Sequence, residues 1–119
     1  MDNATEWRTQ LRRGVLEICI LALISRGPTY GYEIVTQLAA VPVLAAGEGT
    51  VYPLLRRLRN DGWLATSWQE SPAGPPRQYY SLTDNGARAL AAFRAEWRQL
   101  VEAVERYFET NDEGSAGDD

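Results

Sequence analysis

The sequence contains no histidine and no lysine, and it has a single cysteine, Cys19. Without histidine, one chain cannot form a His-ligated metal site, a Ser-His-Asp triad or a Cys-His pair. A single cysteine excludes an internal disulfide, which favours a reducing, cytoplasmic setting. These absences favour a protein that is not an enzyme and carries neither a metal nor a cofactor.

Long apolar runs are also absent. The longest covers seven residues, Ile18 to Ile24, whereas a helix needs roughly 20 to cross a bilayer. The polar, acidic residues 1–6 do not resemble a signal peptide. The 119 residues, 45% of them hydrophobic, fit one soluble domain of ordinary size, and no association with a membrane is expected.

The charge of the chain is unevenly distributed. The net charge is −4, but counting residues gives +3 for residues 8–88, −2 for 1–7 and −5 for 89–119. All twelve basic residues are arginines, whose planar fork suits bidentate contacts with phosphate and guanine. The middle of the chain can therefore face a polyanion, although the net charge favours a protein partner.

The first half of the sequence predicts three helices. Asn3 and Glu6 resemble a capping box at the start of the first helix, which ends at Gly27-Pro28. Thr29 is predicted to cap a second helix over residues 30–40. A third helix is predicted over residues 50–60, with Thr50 as its N-cap, so that Pro53 occupies the last position that tolerates proline.

The third helix has two contrasting faces. At about 100° per residue, its leucines and Val51 fall on one arc that is predicted to face the core. The opposite side has no acid before Asp61, and it carries Tyr52, Pro53, Arg56, Arg57, Arg59 and Asn60. Arginine and asparagine read guanine and adenine edges, but the same arginines could equally form a solvated helix face.

Two strands are predicted to follow, over residues 63–70 and 78–82, joined by a Pro- and Gly-rich tip at 71–77. Three helices followed by such a hairpin is the order of a winged helix-turn-helix, in which the third helix enters the major groove. The predicted fold class is therefore mostly α with a small β-hairpin. This order makes DNA the favoured partner of the basic face, with Arg77 contacting a phosphate near the tip.

The last predicted helix begins after Thr83, covers residues 84–108 and carries a heptad seam. The seam consists of Leu90, Phe93, Trp97, Leu100, Val104 and Tyr107, widened by Val101 and Phe108. It is predicted to be a dimer interface, because it is longer than a small domain can cover; alternatively, it covers the domain's own core. Residues 1–83 would form the DNA-binding domain, and residues 109–119 are predicted to be a disordered acidic tail.

Four blocks of the sequence resemble the PadR family of bacterial transcriptional regulators. They are residues 30–34 (YGYEI), 49–58 (GTVYPLLRRL), 61–64 (DGWL) and 77–86 (RQYYSLTDNG). The resemblance covers residues 11–108 and implies a homodimeric repressor with a C-terminal dimerisation helix, of the family's smaller subgroup. It also suggests a small hydrophobic or aromatic effector at the dimer interface, near Trp97, although an ordinary core tryptophan is the favoured interpretation of that residue.

The predicted contacts follow from these assignments. Arg56 and Asn60 are predicted to contact base edges, and Thr50 and Tyr52 to hydrogen-bond the DNA backbone. Arg57, Arg59 and Arg77 are predicted to hold phosphates of a pseudo-palindromic double-stranded operator. The competing hypothesis is a winged-helix module that binds another protein and no specific DNA sequence.

Overall fold

The computed structural model of the chain describes the backbone of residues 3–117 and the side chains of residues 6–109. This part of the chain forms α-helices and one three-stranded antiparallel sheet. The elements are α1 (Asn3–Ser25), β1 (Thr29–Tyr30), α2 (Gly31–Ala39), a 3₁₀ turn (Pro42–Leu44), α3 (Glu48–Asn60), β2 (Leu64–Ser71), β3 (Gly74–Leu82) and α4 (Asp84–Gly117). The order confirms the predicted winged helix-turn-helix fold with a long C-terminal helix. No helix within residues 3–117 combines the length and apolarity needed to cross a membrane.

The core lies where α1, α2 and α3 meet the hairpin. Three residues of α3, Val51, Leu55 and Leu58, are fully buried, and Leu54 packs at their edge. This confirms that the apolar arc of the third helix faces inward. The apolar run of α1 and the inner face of α2 supply the opposing surface, through Ile20, Leu21, Ile24, Ile34 and Leu38.

The short strand β1 was not predicted from the sequence. Thr29 pairs with Tyr80 and Tyr30 with Tyr79, so that β3 lies between β1 and β2. The prediction that Thr29 caps the second helix is wrong, because the helix starts one residue later than that cap requires. The N-cap of α2 is instead Tyr30, whose side chain makes no capping hydrogen bond.

Helix α3 begins two residues earlier than predicted. Its N-cap is Gly47, whose carbonyl accepts hydrogen bonds from the amides of Thr50 and Val51, both at 3.0 Å. The assignment of Thr50 as N-cap is therefore wrong, and Pro53 lies inside the helix. Because proline has no N–H, the carbonyl four residues earlier, at Gly49, loses its usual intrahelical donor. At the other end, Gly62 adopts a φ of 82° and closes the helix, as predicted.

The hairpin is longer than predicted and its turn is tighter. Ser71 pairs with Gly74, so the tip is a turn at residues 72–73 and not a loop over 71–77. The register shifts between Gln69 and Ser71, which sets two residues of β3, 75 and 76, against one residue of β2. A bulge of this kind tolerates prolines that cannot donate to the ladder, which explains how both prolines fit into β3.

Helix α4 is capped as predicted but does not end at Phe108. The amide of Gly86 donates a 3.0 Å hydrogen bond to Oγ1 of Thr83, whose hydroxyl donates to the carbonyl of Gly62 at 2.7 Å. The helix continues to Gly117, since no proline or glycine stands between Phe108 and residue 114. It thus includes residues 109–117 of the predicted disordered tail, while residues 118 and 119 lie outside the described part of the chain.

Candidate nucleic-acid interface

The solvent-exposed side of α3 carries most of the residues predicted to contact DNA. Thr50, Arg56, Arg59 and Asn60 are all exposed on this helix. Neither Arg56 nor Arg59 forms an ion pair with a carboxylate among the described residues. Burial of the apolar arc fixes the helix in the core, so these side chains are held outward on a rigid element rather than on a loop.

Tyr52 is turned toward α2 instead of lying fully in solvent. A Cβ placed on Gly31 would lie 2.4 Å from Cε1 of its ring, so only glycine allows this approach. Burial raises the pKa of Tyr52, and the charge of Glu48 raises it further. Its hydroxyl thus stays protonated at neutral pH and is a possible hydrogen-bond donor.

Arg56 and Arg59 lie on the flank of α3 that faces the hairpin. Burial raises the pKa of Tyr80 on β3, while the positive charges of Arg59 and Arg56 act in the opposite direction. Both guanidinium groups are therefore close enough to influence this hydroxyl. Arg56 and Arg59 therefore lie on the side of α3 nearer to Tyr80 of the hairpin.

Arg57 occupies the other flank of α3, where it forms an ion pair with Glu17 of α1. The hydrogen bond to Glu17 is the main reason why the pKa of Arg57 is raised. The structure thus separates Arg57 from Arg56 and Arg59, although half of its side chain (52%) is still exposed. A phosphate would have to compete with Glu17 for this arginine.

Arg77 lies within β3, opposite Gln69, and not at the base of a loose tip. Its guanidinium carbon lies 4.5 Å from the centre of the Tyr30 ring. Tyr30 is itself packed against Tyr79, with ring centres 5.3 Å apart. This stacking orients the guanidinium and leaves its N–H groups available to an acceptor.

A groove of about 330 Å³ separates the hairpin from α3 and the start of α2. We call it the aromatic groove; it is lined by Tyr30, Gly31, Tyr32, Tyr52, Trp68, Arg77, Gln78 and Tyr80. Within the described residues, no group of His, Cys, Asp or Glu side chains could hold a metal ion. The groove offers arginine, aromatic and amide side chains.

Comparison with protein families decides what this arrangement represents. Residues 20–92 match the model of the transcriptional regulator PadR-like family. This segment contains α2, α3 and the hairpin, together with most of the core, and it is more than half of the chain. The chain belongs to the PadR-like family of transcriptional regulators. It is accordingly a DNA-binding regulator, and its family is one of regulators and not of enzymes.

Solved structures agree with this membership. A PadR family transcriptional regulator from Eggerthella lenta is 37% identical to this PadR-like chain; the match covers 90% of this chain and 93% of the other, with a TM-score of 0.81. A PadR-like regulator from Bacillus cereus is 36% identical, over 83% and 96% of the two chains, with a TM-score of 0.75. A relative found by sequence alone, an uncharacterized protein from Lysinibacillus sphaericus, is 28% identical over 104 residues, which are 86% of this chain and 95% of the other.

The predicted dimer seam of this PadR-like regulator divides into two parts. Leu90 and Phe93 pack against the core, where the ring centres of Phe93 and Trp63 lie 5.4 Å apart in an edge-to-face arrangement. The later members are exposed; they are Trp97, Leu100, Val101, Val104, Tyr107 and Phe108. The first part of the seam thus covers the domain's own core, as the alternative prediction had it, whereas the second part is uncovered in a single chain.

Of the residues that line the aromatic groove, only Tyr52 and Arg77 were predicted as site residues; those missed include the two exposed rings, Tyr32 and Trp68. Trp68 was assigned only to an alternating strand, and Tyr32 only to the second helix. No pattern in the sequence identifies them: strand alternation places Trp68 on the face of the buried Leu64, so the exposure of its ring is known only from the structure. The structure leaves 62% of Tyr32 and 69% of Trp68 exposed beside the basic surface.

Proposed function

We propose that this regulator is a homodimeric repressor that inserts α3 into the major groove of a pseudo-palindromic operator. The observation that carries the proposal is the exposed flank of α3, where Arg56 and Arg59 have no carboxylate partner among the described residues and face the hairpin. The two-fold symmetry of a dimer places the half-sites about one helical turn apart, or a small multiple of that.

Each predicted side chain has a separate role in this proposal. Arg56 and Asn60 contact base edges, whereas Thr50 and the Tyr52 hydroxyl donate hydrogen bonds to the DNA backbone. Arg59 and Arg77 bind phosphates, and Arg57 binds one after it leaves Glu17. Only the base-edge contacts of Arg56 and Asn60 carry sequence information. Substituting these two residues should therefore change specificity, whereas substituting the others should change affinity alone.

The exposed second part of the α4 seam supports the homodimer. A stretch of large apolar side chains from Trp97 to Phe108 would stay in water in a monomer, and patches of this kind mark interfaces. A symmetric pair of α4 helices would bury the seam against its own copy. The dimer also supplies the second recognition helix that a palindrome requires.

A flat aromatic effector between the two subunits would regulate this repressor. Trp97, 44% exposed at the start of the uncovered seam, is the residue proposed to contact it. Replacing Trp97 with Phe should remove most of the tryptophan quenching that a planar aromatic dye causes on binding. Quenching that is unchanged in Trp97→Phe would place the dye at another tryptophan.

The DNA-binding part of the proposal can be tested by selecting duplexes from a random pool with the full chain. Arg56→Ala should weaken binding to the selected duplex by about 1–3 kcal/mol and relax one base position. Arg59→Ala should weaken all duplexes alike and lower the salt slope by about one. Arg26→Ala, which removes an exposed arginine outside the surface, is the matched control. Undiminished affinity of Arg56→Ala for the selected duplex would contradict the proposal.

The net charge of −4 favours a second candidate, a winged-helix module that binds protein. Salt dependence separates the two functions. Binding to DNA through several arginines falls steeply as salt rises, whereas a protein partner imposes no such slope. A chain that selects no duplex, at any salt concentration, would favour the protein partner.

A further inference from the structure

The aromatic groove exposes more ring surface than recognition by α3 requires. Trp68 and Tyr32 line it from opposite sides, on β2 and on α2, with 69% and 62% of their surfaces exposed. Single exposed aromatic residues are common on soluble proteins. Two large rings in one groove beside an oriented arginine instead form a surface suited to a ligand with both apolar and anionic parts.

The register of the hairpin explains why Trp68 faces the groove. Thr66 is paired with Tyr80 and Trp68 with Gln78, and residues two apart on a strand share a face. Tyr80, at 7% exposure, marks the edge of the core. Trp68 is one pair further out on the same face, so its indole projects past the core and beside α3.

Arginines lie at two places beside this apolar surface, while Glu48 acts on Tyr52 at another. Arg77 is stacked on Tyr30 at 4.5 Å and forms no ion pair with a carboxylate among the described residues. Arg56 and Arg59 influence the Tyr80 hydroxyl at the inner end of the groove. Arg77 is thus the oriented cation that the groove itself offers to an anion.

We propose that the aromatic groove holds the sugar–phosphate backbone of the DNA strand next to the major groove that α3 occupies. Trp68 and Tyr32 pack against the apolar faces of deoxyribose, while Arg77 donates hydrogen bonds to the adjoining phosphate. This inference rests on the proposed function, to which it adds two binding residues. Because every nucleotide has the same backbone, these contacts add affinity without sequence preference.

Binding of the full chain to two duplexes tests the inference. One is selected from a random pool by the unaltered protein, and the other is a scrambled duplex of equal composition. Trp68→Ala should weaken both about tenfold, the loss expected when roughly 60 Å² of apolar surface is no longer buried. Trp68→Phe should retain most of the affinity. The salt slope should not change in either variant, because the indole is uncharged.

Trp7→Ala is the matched control, since Trp7 is an equally exposed tryptophan (63%) on α1 that does not line the groove. Circular dichroism verifies that each variant is folded. Trp68→Ala that binds both duplexes as tightly as the unaltered protein would overturn the inference while the proposed function stands. A loss confined to the selected duplex would also overturn it, because the indole would then read bases. An unaltered protein that selects no duplex would refute the proposed function itself.

Discussion

At the scale of single residues, two glycines show how closely the elements of the site approach each other. Gly31 admits the Tyr52 ring to the start of α2, as described above. Gly86 occupies the first turn of α4, where an added Cβ would lie 2.1 Å from the backbone carbonyl oxygen of Trp63. A backbone carbonyl cannot move aside as a flexible side chain can. Gly86 therefore sets the position of α4 against the start of the hairpin.

An added methyl group at Gly86 tests this constraint on α4. Gly86→Ala should destabilise the fold by about 2 kcal/mol or more, because backbone must shift to admit the methyl group. Gly14→Ala is the matched control: nothing lies within 4 Å of a Cβ built there, so the better helix propensity of alanine should stabilise α1 by about 0.5–1 kcal/mol. Urea denaturation measures both changes. Equal stability of Gly86→Ala and the unaltered protein would show that this contact does not constrain α4.

At the scale of elements, apolar periodicity predicted which residues of a helix are buried. It did not predict a strand that forms by pairing with distant residues. The sequence of α3 correctly predicted that Val51, Leu55 and Leu58 face inward. The prediction succeeds because the 3.6-residue spacing of one helix face follows directly from helix geometry. The strand β1 has only two residues, and its existence depends on Tyr79 and Tyr80, about 50 residues further along the chain. No local pattern contains that information.

Only part of the candidate site could likewise be predicted from the sequence. The outward arginines of α3 could be predicted from the sequence, because they occupy the side opposite to the leucines. The aromatic groove could not, since it combines α2, α3 and the hairpin and depends on the register that places Trp68 opposite Gln78. The ion pair between Arg57 and Glu17 was missed for the same reason, because it joins residues 40 positions apart.

The ion pair between Arg57 and Glu17 should affect DNA binding. If a phosphate displaces Glu17 from Arg57, Glu17→Gln should strengthen binding to any duplex, by about fivefold at most, since exposed ion pairs are worth up to about 1 kcal/mol. Glu33→Gln on α2 also removes one negative charge, and it controls for long-range electrostatics. The affinities are compared by fluorescence anisotropy at several salt concentrations. Weaker binding of Glu17→Gln would show that Glu17 positions Arg57 for DNA instead of competing with it.

At the scale of the whole molecule, most of the basic residues lie in the middle of the chain, whereas the exposed apolar seam and most of the acid lie in its C-terminal part. The arginines of α3 and β3 lie in the mildly basic part of the sequence, while α4 and the residues after it carry most of the acid. The exposed seam lies on this acidic part. In the proposed dimer, this separation would keep the acidic α4 away from the DNA and leave its apolar face for the second subunit.

The proposed dimer predicts that one charge in the seam will disrupt both assembly and DNA binding. Leu100→Glu places a carboxylate where 61% of a leucine is exposed in the single chain, so the isolated subunit should still fold. In a dimer, the carboxylate would be buried without a partner, at a cost of several kcal/mol. Analytical ultracentrifugation should therefore find monomers of Leu100→Glu at concentrations where the unaltered protein is dimeric.

Loss of the dimer should also reduce affinity for a two-half-site duplex by about 100-fold or more, because the second recognition helix no longer binds within the same complex. Affinity for an isolated half-site should not change, since α3 is untouched. Gln99→Glu adds the same charge one residue away, outside the seam, and should remain dimeric. A dimeric Leu100→Glu would show that the subunits meet elsewhere, and the exposed residues of α4 would then need a different partner.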